Sequence, residues 1–262
     1  MKQKGLKIMK TKEVIISAKD LKKSFGTGEM KQTIFEHMNL EIYKGDFTIL
    51  MGSSGAGKST LLYALSGMDR PDAGTISFCD EDITSYKDDK LALFRRKKCG
   101  FVFQQIYLLE RMSLMDNVLT AGLLANNNKK EVVNRAKKLF QKVKIPEITW
   151  KKFSTQISGG EAQRAGIVRA VIHQPEVLFA DEPTGALNSN HSDAVLDVFS
   201  ELNKEGQSII MVTHDKKTAL RANRVIYLKD GTIFGECDLG TYQEKDELRK
   251  KKLDDFLIEM GW

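Results

Sequence analysis

Gly52-Ser53-Ser54-Gly55-Ala56-Gly57-Lys58-Ser59-Thr60 is the stretch on which the reading of this chain turns. Its spacing is G-x-x-x-x-G-K-S, and its composition suits a bound triphosphate. Successive backbone N–H groups in a tight loop can surround a dense anion only where no side chains intrude, which is the work of Gly52, Gly55 and Gly57. Lys58 adds a point positive charge near the outer phosphates. The Ser59 hydroxyl is a hard oxygen ligand suited to Mg²⁺. Upstream, residues 47–51 form an apolar run with strand character. Downstream, residues 59–66 carry Leu61, Leu62 and Leu65 at helical spacing. Strand, glycine-rich loop and helix in that order place the phosphates at a helix N-terminus.

Working outward, alternating Met38, Leu40 and Ile42 predict a strand with one buried face before the loop, and residues 14–18 a first strand. Residues 24–28 read as a turn carrying one aromatic, Phe25. After the loop, residues 75–78 read as a short strand, 88–96 as a helix and 99–103 as a strand ending at Gln104-Gln105. Strand signals then vanish. From about 107 to 160 the chain reads as a helical lobe, with helices at 118–124 and 131–143. Strands return at 177–180, 208–212 and 224–228, alternating with helices, which predicts a parallel sheet covered by helices. Lys229-Asp230-Gly231 reads as a hairpin turn into 232–235.

The 262 residues suit one large domain or a domain with an inserted lobe. A chain this long buries enough surface to fold without a disulfide or metal. The three cysteines, Cys79, Cys99 and Cys237, are widely spaced and show no metal-ligand pattern. The net charge of +6 is spread over lysines along the whole chain, which favours a lysine-rich surface over a nucleic-acid interface. Residues 1–12 are basic but lack the apolar run of a signal peptide. No stretch approaches the roughly 18 apolar residues of a membrane helix. The expectation is a chain without direct membrane insertion or nucleic-acid contact, cytoplasmic and attached to a membrane only through a partner.

Val177-Leu178-Phe179-Ala180-Asp181-Glu182 is an apolar strand ending in two carboxylates. Asp181 can hold Mg²⁺ through water, and Glu182 can orient or deprotonate an attacking water. A strand end merely punctuated by acidic residues is the plainer alternative. In Ser158-Gly159-Gly160-Glu161, Ser-Gly-Gly opens a helix near Glu161, so N–H groups, a hydroxyl and a positive dipole end form a second anion site. One chain with two phosphate-binding helix ends suggests that the second serves the nucleotide of another copy, in a head-to-tail dimer. His214 follows the 208–212 strand and so falls at the same sheet edge as Asp181 and Lys58. His37, His173 and His191 lack that placement.

In this order the motifs resemble the nucleotide-binding subunit of ATP-binding-cassette (ABC) transporters. Residues 52–60 match the first Walker motif, and Gly100-Phe101-Val102-Phe103-Gln104-Gln105 resembles the Q-loop. Ile157 to Glu161 with Ala162-Gln163-Arg164 resembles the signature, and Val177 to Leu187 the second Walker motif and its sequel. The resemblance implies a P-loop NTPase α/β core with a mostly parallel sheet, an N-terminal antiparallel β subdomain and an inserted helical lobe. It implies an ABC ATPase domain over 12–240, with 241–262 as a C-terminal amphipathic tail. It further implies ATP and Mg²⁺ as cofactors, Glu182 as catalytic base, His214 as switch histidine, Gln104 beside metal and water, and Phe25 stacked on adenine. The implied partners are a second copy and an integral membrane permease.

Glu161, where the signature usually has Gln, resembles the branch of lipoprotein-release, macrolide-efflux and bacitracin-type exporters. Ile157 stands for the usual Leu, Asn188 for the usual Asp of the D-loop, and Glu110 where a Pro is frequent. In the tail, Leu253, Phe256, Leu257 and Met260 form one apolar stripe, with Gly261 as the stop. Packing on the chain's own core is the favoured reading of that stripe; contact with a partner or second copy is the other. A cell-division regulator of the same subunit type and a nucleic-acid-associated ABC protein are the rival functions. The latter usually carries two cassettes, a long coiled coil or a zinc insert in one chain, none of which is visible in this sequence.

Overall fold

The computed structural model describes residues 12–262; most of the basic N-terminal segment therefore lies outside the described residues. Two sheets form the frame. The first is antiparallel, in the order β2 (Gln32–Tyr43), β1 (Val14–Phe25), β4 (Ala73–Phe78), β5 (Glu81–Asp82). The second runs β10 (Thr232–Asp238), β9 (Arg224–Lys229), β3 (Phe47–Gly52), β8 (Ser208–Val212), β7 (Val177–Asp181), β6 (Cys99–Phe103). Its pairs are parallel except at the β10 edge.

The central strands of the second sheet read as unbroken apolar runs because both faces are covered. On one face, Phe47, Ile49 and Met51 of β3 join Ile209 and Met211 of β8 in a cluster shared with α3 (Leu114–Ala125), α4 (Lys129–Lys142), α5 (Gly159–Val171) and α6 (Ser189–Lys204). On the other face, Leu50, Ile210 and Val212 meet α1 (Lys58–Leu65), α2 (Asp88–Lys98) and the antiparallel sheet. β3 thus lies between two cores, with β8 and β9 on either side, and has no free edge.

β1 is much longer than the 14–18 segment that alternation predicts. Beyond Ala18 it reaches Phe25 by way of a bulge, where Asp20 takes φ 52. Lys22 and Lys23 sit inside that strand and obscure its pattern. The Asp230-Gly231 turn has positive φ at both residues, as a two-residue type I′ hairpin requires. A Cβ on Gly231 would meet the carbonyl oxygen of Ile34 at 2.2 Å, so glycine is needed twice over.

After β8 come a short helix, α7 (Lys216–Ala219), the β9–β10 hairpin and α8 (Glu247–Glu259). Leu253, Phe256, Leu257 and Met260 are buried, which shows the tail stripe packing on the chain's own core. Gly261 follows at φ 79, a left-handed stop. Arg249 enters the core alongside them and is 4% exposed. Its guanidinium donates to the carbonyls of Leu220 (2.7 Å), Leu239 (2.8 Å) and Ala222, and lies over Tyr242. One planar fork therefore ties α8 to the end of α7 and to the chain leaving β10. Replacing Arg249 by Met keeps bulk and leaves those carbonyls without a donor, at a cost of about 1–3 kcal/mol. Thermal denaturation should show a clear fall in Tm for Arg249→Met and none for Lys250→Met, whose side chain is exposed.

Candidate functional site

The register of the parallel sheet brings the site together. Phe103 is opposite Asp181, Asp181 opposite Val212, and Val212 opposite Leu50. The residues that follow each strand leave from one edge: Gln104, Glu182, Thr213-His214 and the loop from Gly52. Ligands bind beyond the carboxyl ends of strands in such sheets, where connections diverge.

Gly52 takes φ 143, and a Cβ there would lie 2.0 Å from the carbonyl oxygen of Leu228. Gly57 takes φ 90 and leads into α1. No side chain caps α1 and no acidic residue lies in its first turn, so that helix end presents its N–H groups and positive dipole to the loop. The Lys58 ammonium bonds the carbonyls of Gly52 (2.9 Å) and Ser53 (2.7 Å). Burial pulls its pKa down, opposed by the carboxylates of Glu182 and Asp181.

Ser59 donates to Asp181 Oδ1 at 2.9 Å, and Tyr63 donates to Asp181 Oδ2 at 2.6 Å. Tyr63 is one helical turn beyond Ser59, so both hydroxyls project from the same face of α1. The phenol is pushed up, chiefly by burial and then by its bond to Asp181, and stays a donor. Tyr63 belongs to none of the sequence motifs, and its four-residue spacing from Ser59 is the one signal that places it on this face. Glu182 stands at φ 48, held by its N–H to the Val212 carbonyl, and its Oε1 is 2.9 Å from His214 Nδ1. A carboxylate only accepts, so that nitrogen carries the proton. Gln104 lies next to Gly185, where a Cβ would approach its amide nitrogen to 3.0 Å. A cleft of about 320 Å³ opens between Ser59, Tyr63, Gln104, Tyr107, Asp181 and Glu182.

Among the described residues, no group of three or more His, Cys, Asp or Glu could hold a metal by itself. The hard oxygens of Ser59 and Asp181 fit Mg²⁺ only as part of a shell completed by phosphate oxygens and water, which is how that ion usually binds beside nucleotides.

Phe25 ends β1 about half exposed, with the Lys23 ammonium 5.0 Å from its ring centre. Asn188 caps α6 by accepting from the His191 N–H at 3.1 Å, a bond that does not need the charge of Asp. His191 in turn packs on Gly160, where a Cβ would come within 3.0 Å of it.

The second helix end differs from the expectation of a fully open anion site. Ser158 and Glu161 form a capping box: the Glu161 N–H donates to Ser158 Oγ (3.2 Å), while Glu161 Oε2 accepts from the Ser158 N–H and hydroxyl (both 3.0 Å). The Ser158-x-x-Glu161 spacing carries that signal. A carboxylate from the same chain thus engages the donors of Ser158. Behind this end, Gln163 donates to the Phe103 carbonyl (3.0 Å), and Arg169 to those of Ile106 (2.8 Å) and Tyr107 (2.5 Å). α5 is therefore fastened to both flanks of Gln104-Gln105.

Such a site, on such a sheet, defines a nucleotide triphosphatase of the phosphate-loop type. Residues 35–185 match the family described as ABC transporter, and the chain belongs to that family. It is similar to the bacitracin export ATP-binding protein BceA of Halalkalibacterium halodurans, 37% identical over 94% of this chain and 96% of that protein. It is 38% identical to the ABC transporter ATP-binding protein YknY of Bacillus subtilis, over 84% of this chain and 95% of that one. The macrolide export ATP-binding/permease protein MacB of Campylobacter fetus is 38% identical over 91% of this chain, which spans only 37% of MacB. The dimeric ATP-binding cassette MJ0796, bound to ADP and Pi after hydrolysis, superimposes with a TM-score of 0.79 at 32% identity, covering 87% of this chain and 100% of that one. The chain is thus an ATP-binding, ATP-hydrolysing subunit of the ABC type. No helix among the described residues is long and apolar enough to cross a membrane.

The capping box makes a pH prediction. Hydrogen bonds from Ser158 hold the Glu161 carboxyl below its ordinary value of 4.5. A depressed carboxyl stabilises the fold above its unfolded pKa and ceases to do so as pH falls through its folded pKa. Urea denaturation at neutral pH should therefore find Glu161→Gln less stable than the natural chain, and the gap should close as the buffer is taken below pH 4.5.

Proposed function

We propose that two copies of this chain close head to tail around two ATP molecules and that hydrolysis there drives an integral membrane permease from the cytoplasmic face. The supporting observation is that one chain carries two separate helix N-termini of the kind that can face a phosphate. α1 opens on the phosphate loop. α5 opens at Ser158, and no hydrogen bond among the described residues joins Ser158 or Glu161 to that loop.

In this reading the loop N–H groups of residues 52–60 and the Lys58 ammonium bind the β- and γ-phosphates, while Phe25 stacks on adenine. The partner chain brings its Ser158-Gly159-Gly160-Glu161 end to the same γ-phosphate. Its serine hydroxyl must first let go of its own Glu161, so closure exchanges one carboxylate for a phosphate. Ser59, Asp181 and Gln104 would hold Mg²⁺, and the ion would supply positive charge against the charge developing on the γ-phosphoryl oxygens. His214 leaves Glu182 for a γ-phosphate oxygen as the phosphates arrive. Glu182, its carboxylate released, orients and deprotonates the water that attacks in line. Lys58, turning from the Gly52 and Ser53 carbonyls to phosphate, and the N–H groups of the loop stabilise the charge on the phosphoryl oxygens.

Gln104 and the α5 fastenings through Gln163 and Arg169 carry closure to the lobe formed by α3 and α4, which receives the permease. The likeness to BceA over nearly its whole length supports peptide-antibiotic resistance, by export or by detachment of the drug from the membrane, as the process served.

Glu182→Gln keeps shape and removes the base, so turnover should be lost and an ATP-bound dimer should accumulate on size exclusion with Mg²⁺ present. Turnover at the natural rate in that variant would remove Glu182 from the role. Geometry is tested separately by mixing Lys58→Ala chains with Ser158→Arg chains. A head-to-tail arrangement leaves one composite site undamaged, so ATP-dependent dimer should reappear in the mixture and in neither variant alone. If each chain used its own Ser158, mixing would restore nothing.

A further inference from the structure

We propose that Tyr63 is a positioning residue for the metal site: its hydroxyl fixes the Asp181 carboxylate so that Asp181 and Ser59 are aimed before the cation arrives. The inference rests on the reading that Asp181 and Ser59 hold Mg²⁺. It deepens that reading by adding a residue that lies outside the recognised motifs.

The two oxygens of Asp181 are held by two hydroxyls from one face of α1, Oδ1 by Ser59 at 2.9 Å and Oδ2 by Tyr63 at 2.6 Å. The terminal torsion of an aspartate is broad, and a single hydrogen bond leaves the group able to swing. A second hydroxyl on the other oxygen removes that freedom. The two bonds differ in what they do when a cation is present. Ser59 would have to turn a lone pair toward the metal while its O–H goes on donating to Asp181. Tyr63 has no such second duty, so its bond to Oδ2 holds the carboxylate independently of the metal.

The phenol is itself well placed for this. Its ring packs against the buried cluster that α1 and α2 share with both sheets, and its backbone carbonyl accepts from Ser66, Met68 and Asp69. The hydroxyl reaches the cleft that Gln104, Tyr107 and Glu182 also line. A rigid ring on a regular helix delivers one O–H to one carboxylate oxygen. Groups that orient a metal ligand in this manner are typically worth about 10- to 100-fold in metal affinity or activity.

The test measures binding, so it does not depend on turnover. Isothermal titration of the non-hydrolysable ATP analogue with an NH bridge between its β- and γ-phosphorus atoms is run in EDTA and in Mg²⁺. The ratio of the two affinities is the gain due to the metal. Tyr63→Phe removes one oxygen and keeps the ring. It should bind the analogue in EDTA as the natural chain does and lose about tenfold or more of the Mg²⁺-dependent gain. An undiminished gain would overturn the proposal. So would an equal loss in EDTA and in Mg²⁺ accompanied by a lower Tm, which is the mark of a residue that only packs. Asp181→Asn is titrated in parallel. If Asp181→Asn loses the gain and Tyr63→Phe keeps it, Asp181 retains its place and Tyr63 loses its own. If neither loses it, the assignment of Asp181 falls with that of Tyr63.

Discussion

Parallel pairing of β7 with β8, and of β8 with β3, is the constraint on which everything functional here depends. Asp181 lies opposite Val212 and Val212 opposite Leu50 because each strand is buried on both faces and cannot slip. A one-residue slip would turn Phe179 and Ile210 from one core into the other. It would also pull Asp181 away from the hydroxyls of Ser59 and Tyr63. The hydrophobic packing of two cores is thus what sets distances of 2.6 to 2.9 Å at a polar edge. None of the groups at that edge needs to contribute much stability, and Glu182 takes up a left-handed backbone there.

Much of this was legible in the sequence, for identifiable reasons. The segment from Phe47 to Leu65 announces itself because strand, glycine loop and helix each have their own local rule and all agree. The strands at 99–103, 177–180 and 208–212 are short apolar runs with nothing to confuse them. The length of β1 was hidden because Lys22 and Lys23 break its alternation; Lys23 is nevertheless 7% exposed, its ammonium bonded to Asp69 and to the Arg70 carbonyl. Tyr63 was hidden by ambiguity, since an aromatic on an apolar helix reads first as core. Arg249 was hidden among the lysines of a basic tail, and nothing local distinguishes a guanidinium that will be buried on carbonyls from one that will stay in water.

Glu161 is the instructive case. The same four residues, Ser158 to Glu161, support two readings with opposite electrostatics. As a helix N-terminus they attract an anion; as a capping box they already hold one, and the structure shows the second. The two are compatible because a capping box is worth little and is reversible. A carboxylate tethered three residues away keeps the dipole end and the serine paired. Asn188 makes a related point. Its side chain is spent on the His191 N–H, and His191 is packed on Gly160, so the segment after Glu182 and the start of α5 are already in register within one chain.

The strand order also bears on how the chain is made. β3 carries the phosphate loop and is translated early, yet both of its neighbours, β8 and β9, lie near the far end of the sequence. Until residues 208–229 have left the ribosome, Phe47 to Gly52 is an apolar strand with two open edges. Such segments are where a nascent chain pairs wrongly with its neighbours. The carbonyl of Leu228, which leaves no room for a side chain at Gly52, belongs to β9 and is made long after the loop it lies against. The edge from which the loop leaves is complete only when β8 and β9 have joined β3, so two of the last strands of the sheet to be made are the ones that flank the first.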